Sequence, residues 1–461
     1  MVGRGQMQKR HDPFHYLPRF LRLEAKVATK SSAKLRDFIR ALSGGATPKA
    51  EEQEKYYADS ETGIPFVRVQ NLSVSGQLQL DDVKYVNHET HNGLLARSQV
   101  HEDDLLVKIT GVGRMAVASV PSPGFEGNIN QHIARIRTDG RHTSEVLAAW
   151  LNTDIAETLA KRRSTGGTRP ALDYGALRSI PVIFNEAILE AVKAAYRQHA
   201  QDLAKASKKL EGIDDYLLAE LGINLPPEPE NTITNRIFTA QRRELAGWRF
   251  DARVHRYDFN LNSVRYRSMP LKQIVFINPR TTFRNINDDT VLSFVPMESI
   301  SDEDGSIVSA QERPFGENVG YTNFQEGDLL WAKITPCMEN GKSAVAENLL
   351  NGYGFGSTEY HVLRPKTGDL DVGYLHALLR MKRLRKAATN FFGGSSGHQR
   401  VDDEFFRRLH IPLPDIEIQQ ALVAHIEKQR NEAKHLRQQA EIELETAKRR
   451  IEAMLLGEAT P

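Results

Sequence analysis

Two short motifs contain residues that could do chemistry, but each lacks a residue that the chemistry needs. Gly341-Lys342-Ser343 resembles the end of a nucleotide-binding P-loop, yet Pro336 stands where the motif requires a glycine and has no amide to donate to phosphate. Asn224-Leu225-Pro226-Pro227 shares residues with the Asn-Pro-Pro-aromatic motif of adenine methyltransferases. There a leucine intervenes, and Glu228 replaces the ring that would stack on a flipped base. A proline-rich linker is the better interpretation of that segment.

An aspartate-lysine pair occurs twice and could suggest a metal-dependent nuclease. The pairs are Asp104 with Lys108 and Asp328 with Lys333, but their spacing differs and the Glu/Asp-x-Lys core is absent. The histidines show no metal-ligand spacing, and the single cysteine, Cys337, excludes a disulfide framework and a Cys-rich zinc site. The sequence therefore predicts no catalytic residue, no metal site and no cofactor bound by this chain.

Two Gly-rich, basic loops carry groups that suit binding rather than catalysis. Guanidinium, hydroxyl and backbone amide groups can contact phosphates or base edges, and glycine permits a close approach. The alternative interpretation is a pair of solvated surface loops. The candidate residues are Arg162, Arg163, Thr165, Gly166, Gly167, Thr168 and Arg169 in the first loop, and Gly394, Ser395, Ser396, His398, Gln399 and Arg400 in the second.

Composition places the chain among globular proteins. It has 461 residues, a formal net charge of +2, 40% hydrophobic residues and 26% charged residues, and this length suggests about two to four domains. Because the net charge is small, any affinity for nucleic acid must come from local clusters of Lys and Arg. Met1–His15 lacks the apolar core of a signal peptide, and no run of about 20 apolar residues could span a bilayer. A cytoplasmic protein without membrane contact is expected.

The sequence repeats itself once, with seven features in the same order in both halves. The strongest match pairs Asp104–Thr110 with Asp328–Thr335, which is one residue longer, and both end in Lys-Ile-Thr. Such self-similarity at a long period indicates a duplicated domain. The other matches are Arg22–Lys26 with Arg249–Arg253, Leu35–Ile39 with Leu271–Val275, Phe66–Ser73 with Phe294–Ser301, Gly127–Arg137 with Gly356–Arg364, Val146–Leu151 with Tyr374–Leu379, and Ile180-Pro181 with Ile411-Pro412.

Each half ends in a heptad pattern that predicts a long helix. Alternating steps of three and four residues are typical of a coiled-coil seam, which needs a partner helix in water. Two helices of near-equal length, each roughly 55–60 Å at about 1.5 Å per residue, favour an antiparallel pair. The alternative is a helix lying on a globular core. The seams run through Val192, Tyr196, His199, Leu203, Ala206, Leu210, Ile213 and Leu217, and through Leu422, Ile426, Gln429, Ala433, Leu436, Ala440, Leu444, Ala447, Ile451 and Met454.

The duplicated layout, with the Asp-Leu-Leu strands and the Ile-Pro pairs before the long helices, resembles the DNA-specificity subunits of bacterial Type I restriction-modification systems. The resemblance covers the chain from about Arg22 to its C-terminus. It implies an α+β fold with two duplicated target-recognition domains, each followed by a long helix, the two helices packing as an antiparallel coiled coil. The predicted limits are 1–183 for the first domain, with 1–14 flexible, 184–222 for helix 1, 223–247 for the linker, 248–413 for the second domain and 414–457 for helix 2.

The resemblance also implies a function without catalysis. Each domain would read one half of a split, asymmetric target in double-stranded DNA, and the helices would fix the spacing between the halves. The expected partners are two methyltransferase subunits and the restriction and translocase subunits, which would bind S-adenosylmethionine, ATP and Mg²⁺. Two alternatives stay open: the specificity subunit of a Type IIB-like system, and a stand-alone DNA-binding or coiled-coil adaptor protein.

Residues outside the two loops complete the set of predicted DNA contacts. Lys108, Thr110, Lys333 and Thr335 lie at the ends of matching strands, where they would touch the DNA backbone or act only in the protein's own structure. Asn128, Asn130 and Gln131 would read bases or satisfy a turn.

Overall fold

The structure is a computed structural model of the chain, and it describes residues 12–49, 53–227, 230, 232–237, 239, 254–255, 259–395 and 398–458. The chain divides into two compact units. Unit 1 contains residues 1–203 and 437–461, and unit 2 contains residues 204–436. Both combine helices with β-sheets, so the mixed α and β class predicted from the sequence is confirmed. The predicted match at Arg249–Arg253 and 12 of the 25 residues of the predicted linker lie outside the described residues.

Unit 1 contains nine described strands in two sheets. One sheet has the order β1-β9-β6-β7 and is antiparallel. The other has the order β2-β4-β3-β8-β5, in which β3 and β8 are parallel. The strands are β1 (Ala41–Gly44), β2 (Tyr57–Ala58), β3 (Ile64–Val67), β4 (Lys84–Val86), β5 (Gln99–His101), β6 (Leu105–Lys108), β7 (Ala118–Ser119), β8 (Glu126–Ile129) and β9 (Ile133–Arg137).

The helices of unit 1 cover the β6 sheet and include the short helix predicted around Val146. Trp150 is fully buried there, and its indole N–H donates to the carbonyl of Pro181 at 3.0 Å. The α-helices are α1 (Pro18–Ala28), α2 (Gln53–Tyr56), α3 (His88–Asn92), α4 (Arg141–Leu151), α5 (Asp154–Arg163) and α6 (Tyr174–Arg178), and the 3-10 helices are Pro13–Tyr16, Leu35–Phe38, Val69–Asn71 and Ala96–Ser98.

Unit 2 contains two larger sheets and two short pairs of strands. The sheet β11-β18-β15-β16 is antiparallel, and in the sheet β13-β12-β17-β14 the strands β12 and β17 are parallel. The pairs are β10-β21 and β19-β20. The strands are β10 (Ser268–Pro270), β11 (Val275–Ile277), β12 (Val291–Val295), β13 (Gln311–Pro314), β14 (Thr322–Gln325), β15 (Leu329–Ala332), β16 (Ser343–Val345), β17 (Tyr353–Gly356), β18 (Tyr360–Pro365), β19 (Phe392–Gly393), β20 (Arg400–Val401) and β21 (His410–Pro412).

The strands β6 and β15 are buried on both faces, which explains why each reads as a continuous apolar run. Leu105 of β6 lies in the main core of unit 1, whereas Leu106 lies in a second core beneath the other sheet. Leu329 and Leu330 of β15 divide between two cores in the same way. These strands therefore join the two layers of each unit and fix what lies at their carboxyl ends.

The helices of unit 2 complete its core. The short helix predicted around Tyr374 is present, and the Tyr374 hydroxyl donates to the carbonyl of Pro412 at 2.8 Å. The α-helices are α8 (Ile233–Arg236), α9 (Leu271–Ile274), α10 (Val372–Arg380), α11 (Lys382–Ala388) and α12 (Glu404–Arg408), and the 3-10 helices are Met297–Ser299, Phe315–Glu317, Leu350–Gly352 and Thr389–Phe391.

Two long helices contribute to both units: α7 (Ala187–Leu221) and α13 (Ile416–Leu455). In unit 1, the ring of His199 contacts the carboxylate of Glu441 at 2.8 Å. In unit 2, the rings of Tyr216 and His425 stack with their centroids 4.0 Å apart. Every residue of the two predicted heptad seams is buried or half-buried.

Candidate nucleic-acid interface

The Gly-rich loop of unit 1 is a short hairpin. Thr165 and Ala171 exchange two backbone hydrogen bonds of 2.9 and 2.8 Å, which close the loop at its base. Gly166 has φ +93°, and a Cβ atom there would lie 2.8 Å from the carbonyl oxygen of Arg169. This turn requires glycine because a side chain would meet backbone in a conformation that L residues rarely adopt.

The hairpin is bonded to the carboxyl end of β6. Thr110 forms a β-bridge with Ala171, the amide of Gly111 donates to the carbonyl of Pro170 at 3.1 Å, and the amide of Leu172 donates to the carbonyl of Ile109 at 2.8 Å. The structure therefore brings together the loop and the strand end, which the sequence had singled out separately. Thr110 takes part through its backbone.

The tip of this hairpin is exposed. Gly167, Thr168 and Arg169 face solvent, as do Thr165 and Gly166 at its base. Within the described residues, the side chains of Thr168 and Arg169 make no hydrogen bond or ion pair. These two side chains are free to contact a ligand.

Arg162 and Arg163 precede the hairpin, but their charged groups are engaged inside unit 1. Both guanidinium groups pair with the carboxylate of Glu24, Arg163 at 2.6 Å, and Arg162 also donates to the carbonyl of His15 at 3.0 Å. Burial lowers the pKa of Arg163 to about 10. Both side chains are largely buried in this conformation, so their predicted DNA contact stays a prediction.

Lys108 is buried at the end of β6. Its ammonium group donates to the carbonyl of Val112 at 2.7 Å, and burial lowers its pKa. It holds the turn after β6 and positions it beside the hairpin. The structural role that the sequence left open for Lys108 is the one that this geometry supports.

The three amide residues near β8 differ in exposure. Asn128 is fully buried, contacts the ring of His91 at 2.7 Å and donates to the carbonyl of Leu95 at 3.0 Å. Asn130 accepts from the amide of His132 at 3.2 Å, which satisfies a turn, whereas Gln131 is exposed. Of the three, Gln131 alone presents its side chain to solvent.

The Gly-rich loop of unit 2 is also a hairpin bonded to a strand end. Its base is the β19-β20 pair, in which Gly393 lies opposite Arg400. The amide of Thr335 donates to the carbonyl of Gln399 at 3.0 Å, and the amide of Val401 donates to the carbonyl of Lys333 at 2.8 Å. The same arrangement of loop and strand thus occurs once in each unit.

The tip of the second hairpin presents fewer charged groups than the first. Gly394, Ser395 and His398 are exposed, Gln399 is half-buried, and Ser396 lies outside the described residues. Arg400 forms a two-pronged ion pair with Glu359, with nitrogen-oxygen distances of 2.7 and 2.9 Å. This pair raises the pKa of Arg400 and lowers that of Glu359.

Strand register changes one correspondence between the halves. Lys108 lies opposite Ile133 at the end of β6, whereas Ala332 lies opposite Tyr360 at the end of β15. Counted from the start of each strand, Lys108 corresponds to Ala332, and Lys333 corresponds to Ile109. The match of Lys108 with Lys333 is therefore wrong by one residue, which places the two side chains on opposite faces of the chain.

The aspartates before β6 and β15 are structural. Asp328 is fully buried and forms a two-pronged ion pair with Arg364 at 2.6 and 2.8 Å, while Asp104 lies 3.5 Å from Arg137 at the same register. Each aspartate also accepts from the amide three residues before it. Since these carboxylates are already paired, they offer no support for a nuclease, and the described residues contain no group of three or more metal-binding side chains.

A cavity of about 450 Å³ in unit 2 was not predicted. It opens beside the carboxyl end of β15, and Lys333 is the one lining residue that the sequence had selected. Its other residues come from distant segments, so no local motif could have revealed it. They are Asn278, Pro279, Arg280, Thr281, Phe283, Thr322, Asn323, Tyr360 and Val362.

Comparison with known proteins identifies the domain that contains the second hairpin. A family model described as the Type I restriction modification DNA specificity domain matches residues 264–446. Residues 264–446 are thus similar to the DNA specificity domains of Type I systems. The family resemblance predicted from the sequence is thereby confirmed as a resemblance over these residues.

Two curated relatives carry matching names. The EcoEI and EcoAI specificity subunits of Type I restriction enzymes, both from Escherichia coli, are each 33% identical to this chain over 186 residues. These residues are 40% of this chain and 31% of each relative, so the match spans less than a third of the relatives' length.

Solved structures with a similar fold have low identity. A chain from a study of type I R-M complex assembly is 14% identical, with 92% of this chain and 95% of that chain covered and a TM-score of 0.49. The HsdS subunit from Thermoanaerobacter tengcongensis is 14% identical, with 93% and 96% covered and a TM-score of 0.36. At these scores the likeness does not bear on function. No helix in the described part of the chain is long and apolar enough to cross a membrane.

Proposed function

We propose that this chain is the DNA-binding specificity subunit of a Type I restriction-modification enzyme, which reads a bipartite, asymmetric target. The observation that carries the proposal is the match of residues 264–446 to the Type I specificity domain family, in a segment that presents a Gly-rich hairpin at the end of its buried central strand. Glycine at such a hairpin lets backbone and short polar side chains approach phosphates and base edges closely.

Equivalent geometry in unit 1 supports two reading domains in one chain. The sheets β1-β9-β6-β7 and β11-β18-β15-β16 arrange their strands in the same order relative to the chain of each unit. The other large sheet of each unit contains one parallel pair of strands flanked by antiparallel strands. The Asp104–Arg137 and Asp328–Arg364 pairs lie at matching positions. Since the hairpin tips differ in sequence, the two domains would read different half-sites, and the target would not be palindromic.

An antiparallel coiled coil of α7 and α13 is the second part of the proposal. In unit 2, Lys209 contacts Glu432 at 2.6 Å, and Tyr216, further along α7, stacks on His425, which comes earlier in α13. This order of contacts supports opposite helix directions. Alanines at the seam, such as Ala206 and Ala433, are buried and allow a close approach. The helices would set the number of base pairs between the half-sites.

Catalysis would belong to partner subunits. Methyltransferase subunits, two in the proposed complex, would bind S-adenosylmethionine, and restriction and translocase subunits would bind ATP and Mg²⁺. Asp104 and Asp328 are each paired with an arginine of their own unit, which supports a chain that recognises DNA rather than one that cleaves it.

Two measurements test the proposal. Coexpression with a cognate adenine methyltransferase subunit should yield a stable complex that binds duplex DNA with an affinity that falls steeply as salt rises, because phosphate contacts release counterions. Methylome sequencing of cells with both subunits should reveal a split motif with two unlike halves. Absence of a complex, or a continuous palindromic motif, would contradict the proposal.

A further inference from the structure

The cavity of unit 2 is a polar recess lined by two cations and no carboxylate. Arg280 is exposed at its rim and Lys333 is half-buried, while Thr322 and Asn323 supply further polar groups. Neither cationic side chain makes a hydrogen bond or ion pair within the described ranges of the chain. The nearby carboxylate of Glu359 is already paired with Arg400. Lys333 also helps to lower the pKa of Glu359, but that carboxylate is bound by Arg400, so the recess presents net positive charge.

Its floor is held by bonds that do not involve these cations. Asn278 has φ +50°, and its carboxamide oxygen accepts from the amide of Val362 at 3.0 Å. Thr281 donates to the carbonyl of Asn323 at 3.1 Å, and the hydroxyl of Tyr360 donates to the carbonyl of Val295 at 3.3 Å. The recess is thus formed before any ligand enters it, which lowers the entropy cost of binding.

The recess adjoins the Gly-rich hairpin. The carbonyl of Lys333 accepts from the amide of Val401, at the end of that hairpin, and the Lys333 side chain lines the recess. A DNA strand that contacts the hairpin tip would bring its phosphates close to this recess.

Unit 1 has neither cation at the corresponding positions. Leu42 lies opposite Ile136 in the same way that Ile277 lies opposite Leu363. Counting three residues onward from Leu42 and from Ile277 places Gly45 at the position of Arg280. Ile109 occupies the position of Lys333, as the strand register shows. At Gly45 a Cβ atom would lie 2.1 Å from the carbonyl oxygen of Ile129, so no side chain fits there.

From these observations we infer that the recess of unit 2 binds a phosphodiester group of duplex DNA, with Arg280 and Lys333 as its donors. The inference rests on the proposed function and adds to it a backbone contact that only one of the two units makes. This contact positions unit 2 on its half-site and carries no sequence information itself.

The test compares Arg280→Gln, Lys333→Gln and the double variant with the unsubstituted chain, each coexpressed with the methyltransferase subunit. Binding to two labelled duplexes of unrelated sequence is measured between about 50 and 200 mM salt. Each substitution should weaken binding roughly tenfold on both duplexes. In the double variant, the fall of log affinity with log salt should become less steep by about one unit of slope. Lys272→Gln, which removes an exposed lysine of unit 2 outside the recess, is the matched control.

The outcomes separate the inference from the proposed function. If the unsubstituted complex binds no duplex, the proposed function fails and the inference fails with it. If it binds but the double variant keeps its salt slope, only the inference is wrong. A loss confined to one duplex would indicate a base contact and would also overturn it. The unfolding temperatures of the variants should change little, since neither side chain makes a hydrogen bond or ion pair among the described residues.

Discussion

At the scale of single residues, the aspartates before the central strands show how one position supports a site without touching a ligand. Asp328 is fully buried against Arg364, which fixes the amino end of β15 to the carboxyl end of β18. Asp104 makes the same kind of pair with Arg137, whose side chain is 49% exposed. Removal of each carboxylate should therefore reduce the stability of its unit, and the reduction should be larger for the more buried pair.

Asp328→Asn should destabilise unit 2 by about 3 kcal/mol, because it leaves the half-buried guanidinium of Arg364 without its counter-charge. Asp104→Asn should cost unit 1 only about 1 kcal/mol, since water solvates Arg137. Urea unfolding followed by amide hydrogen exchange in β15 and β6 measures both effects. A larger loss in β6 than in β15 would show that burial is not the deciding factor.

Two buried histidines make the stability of unit 2 depend on pH. Burial lowers the pKa of His361 and of His376, so both are neutral in the folded state and take up protons on unfolding in mild acid. Their contribution is complete above the ordinary histidine pKa of about 6.5 and is lost as the pH falls towards the lower folded-state pKa.

Between pH 7.5 and 5.5, the free energy of unfolding of unit 2, obtained from urea titrations, should fall as the solution is acidified, by at most about 1.4 kcal/mol per pH unit for each histidine. Amide hydrogen exchange in β15 measures this change in the stability of unit 2. A double variant, His361→Gln with His376→Gln, should show a flatter dependence. An equally steep dependence in that variant would assign the effect to other groups.

At the scale of elements, sequence patterns located the strands, short helices and seams but not the contacts made across the chain. The hairpins were recognisable because glycine, hydroxyl and cationic residues are adjacent in sequence. The burial of Arg162 and Arg163 depends on Glu24, which no local pattern connects to them. The recess was missed for the same reason, since its lining spans residues 278 to 362.

The register of β15 shows a second limit of sequence comparison. The shared Lys-Ile-Thr letters favoured one alignment, but backbone pairing places Lys333 at the position of Ile109. Identity of residue type was outweighed by the hydrogen-bond ladder, which is fixed by the apolar side chains that the strand must bury.

Helix α7 contains a glycine that its own geometry does not require. A Cβ atom at Gly212 would meet nothing within 4 Å. Gly222, just after the helix, has φ +60°, and a Cβ atom there would lie 2.9 Å from the side chain of Arg265. The amide of Ile223 donates to the carbonyl of Leu218 at 2.9 Å, which is the helix-ending arrangement that glycine favours.

Gly212→Ala should stabilise the helix by about 0.5–1 kcal/mol, because alanine loses less backbone entropy. Gly222→Ala should destabilise it by about 1 kcal/mol, because of its positive φ. Thermal unfolding followed by circular dichroism compares the two changes. If both lower the unfolding temperature, Gly212 has a packing role that this structure does not display.

At the scale of the whole molecule, the proposed function and the arrangement in two units predict that reading errors stay within one half of the target. Each unit carries its own hairpin, its own core and its own Asp–Arg pair. A change at one tip leaves the other unit's contacts untouched.

Arg169→Ala should relax or abolish one half of the methylated motif and leave the other half unchanged, since it removes an exposed guanidinium without a partner in the described residues. Methylome sequencing measures this directly. Arg178→Ala, which removes an exposed arginine of unit 1 outside the hairpin, is the control and should change neither half. Loss of both halves in Arg169→Ala would indicate misfolding instead.

The way the hairpins are attached has a consequence for how new specificities arise. The described bonds between hairpin base and strand end are made by backbone groups, at Thr110, Gly111 and Ala171 in unit 1 and at Lys333, Thr335 and Val401 in unit 2. Tip residues can therefore be replaced freely as long as glycine is kept where φ is positive. Randomised libraries at 167–169 and 398–399 should yield many folded proteins, and under the proposed function these would have altered targets.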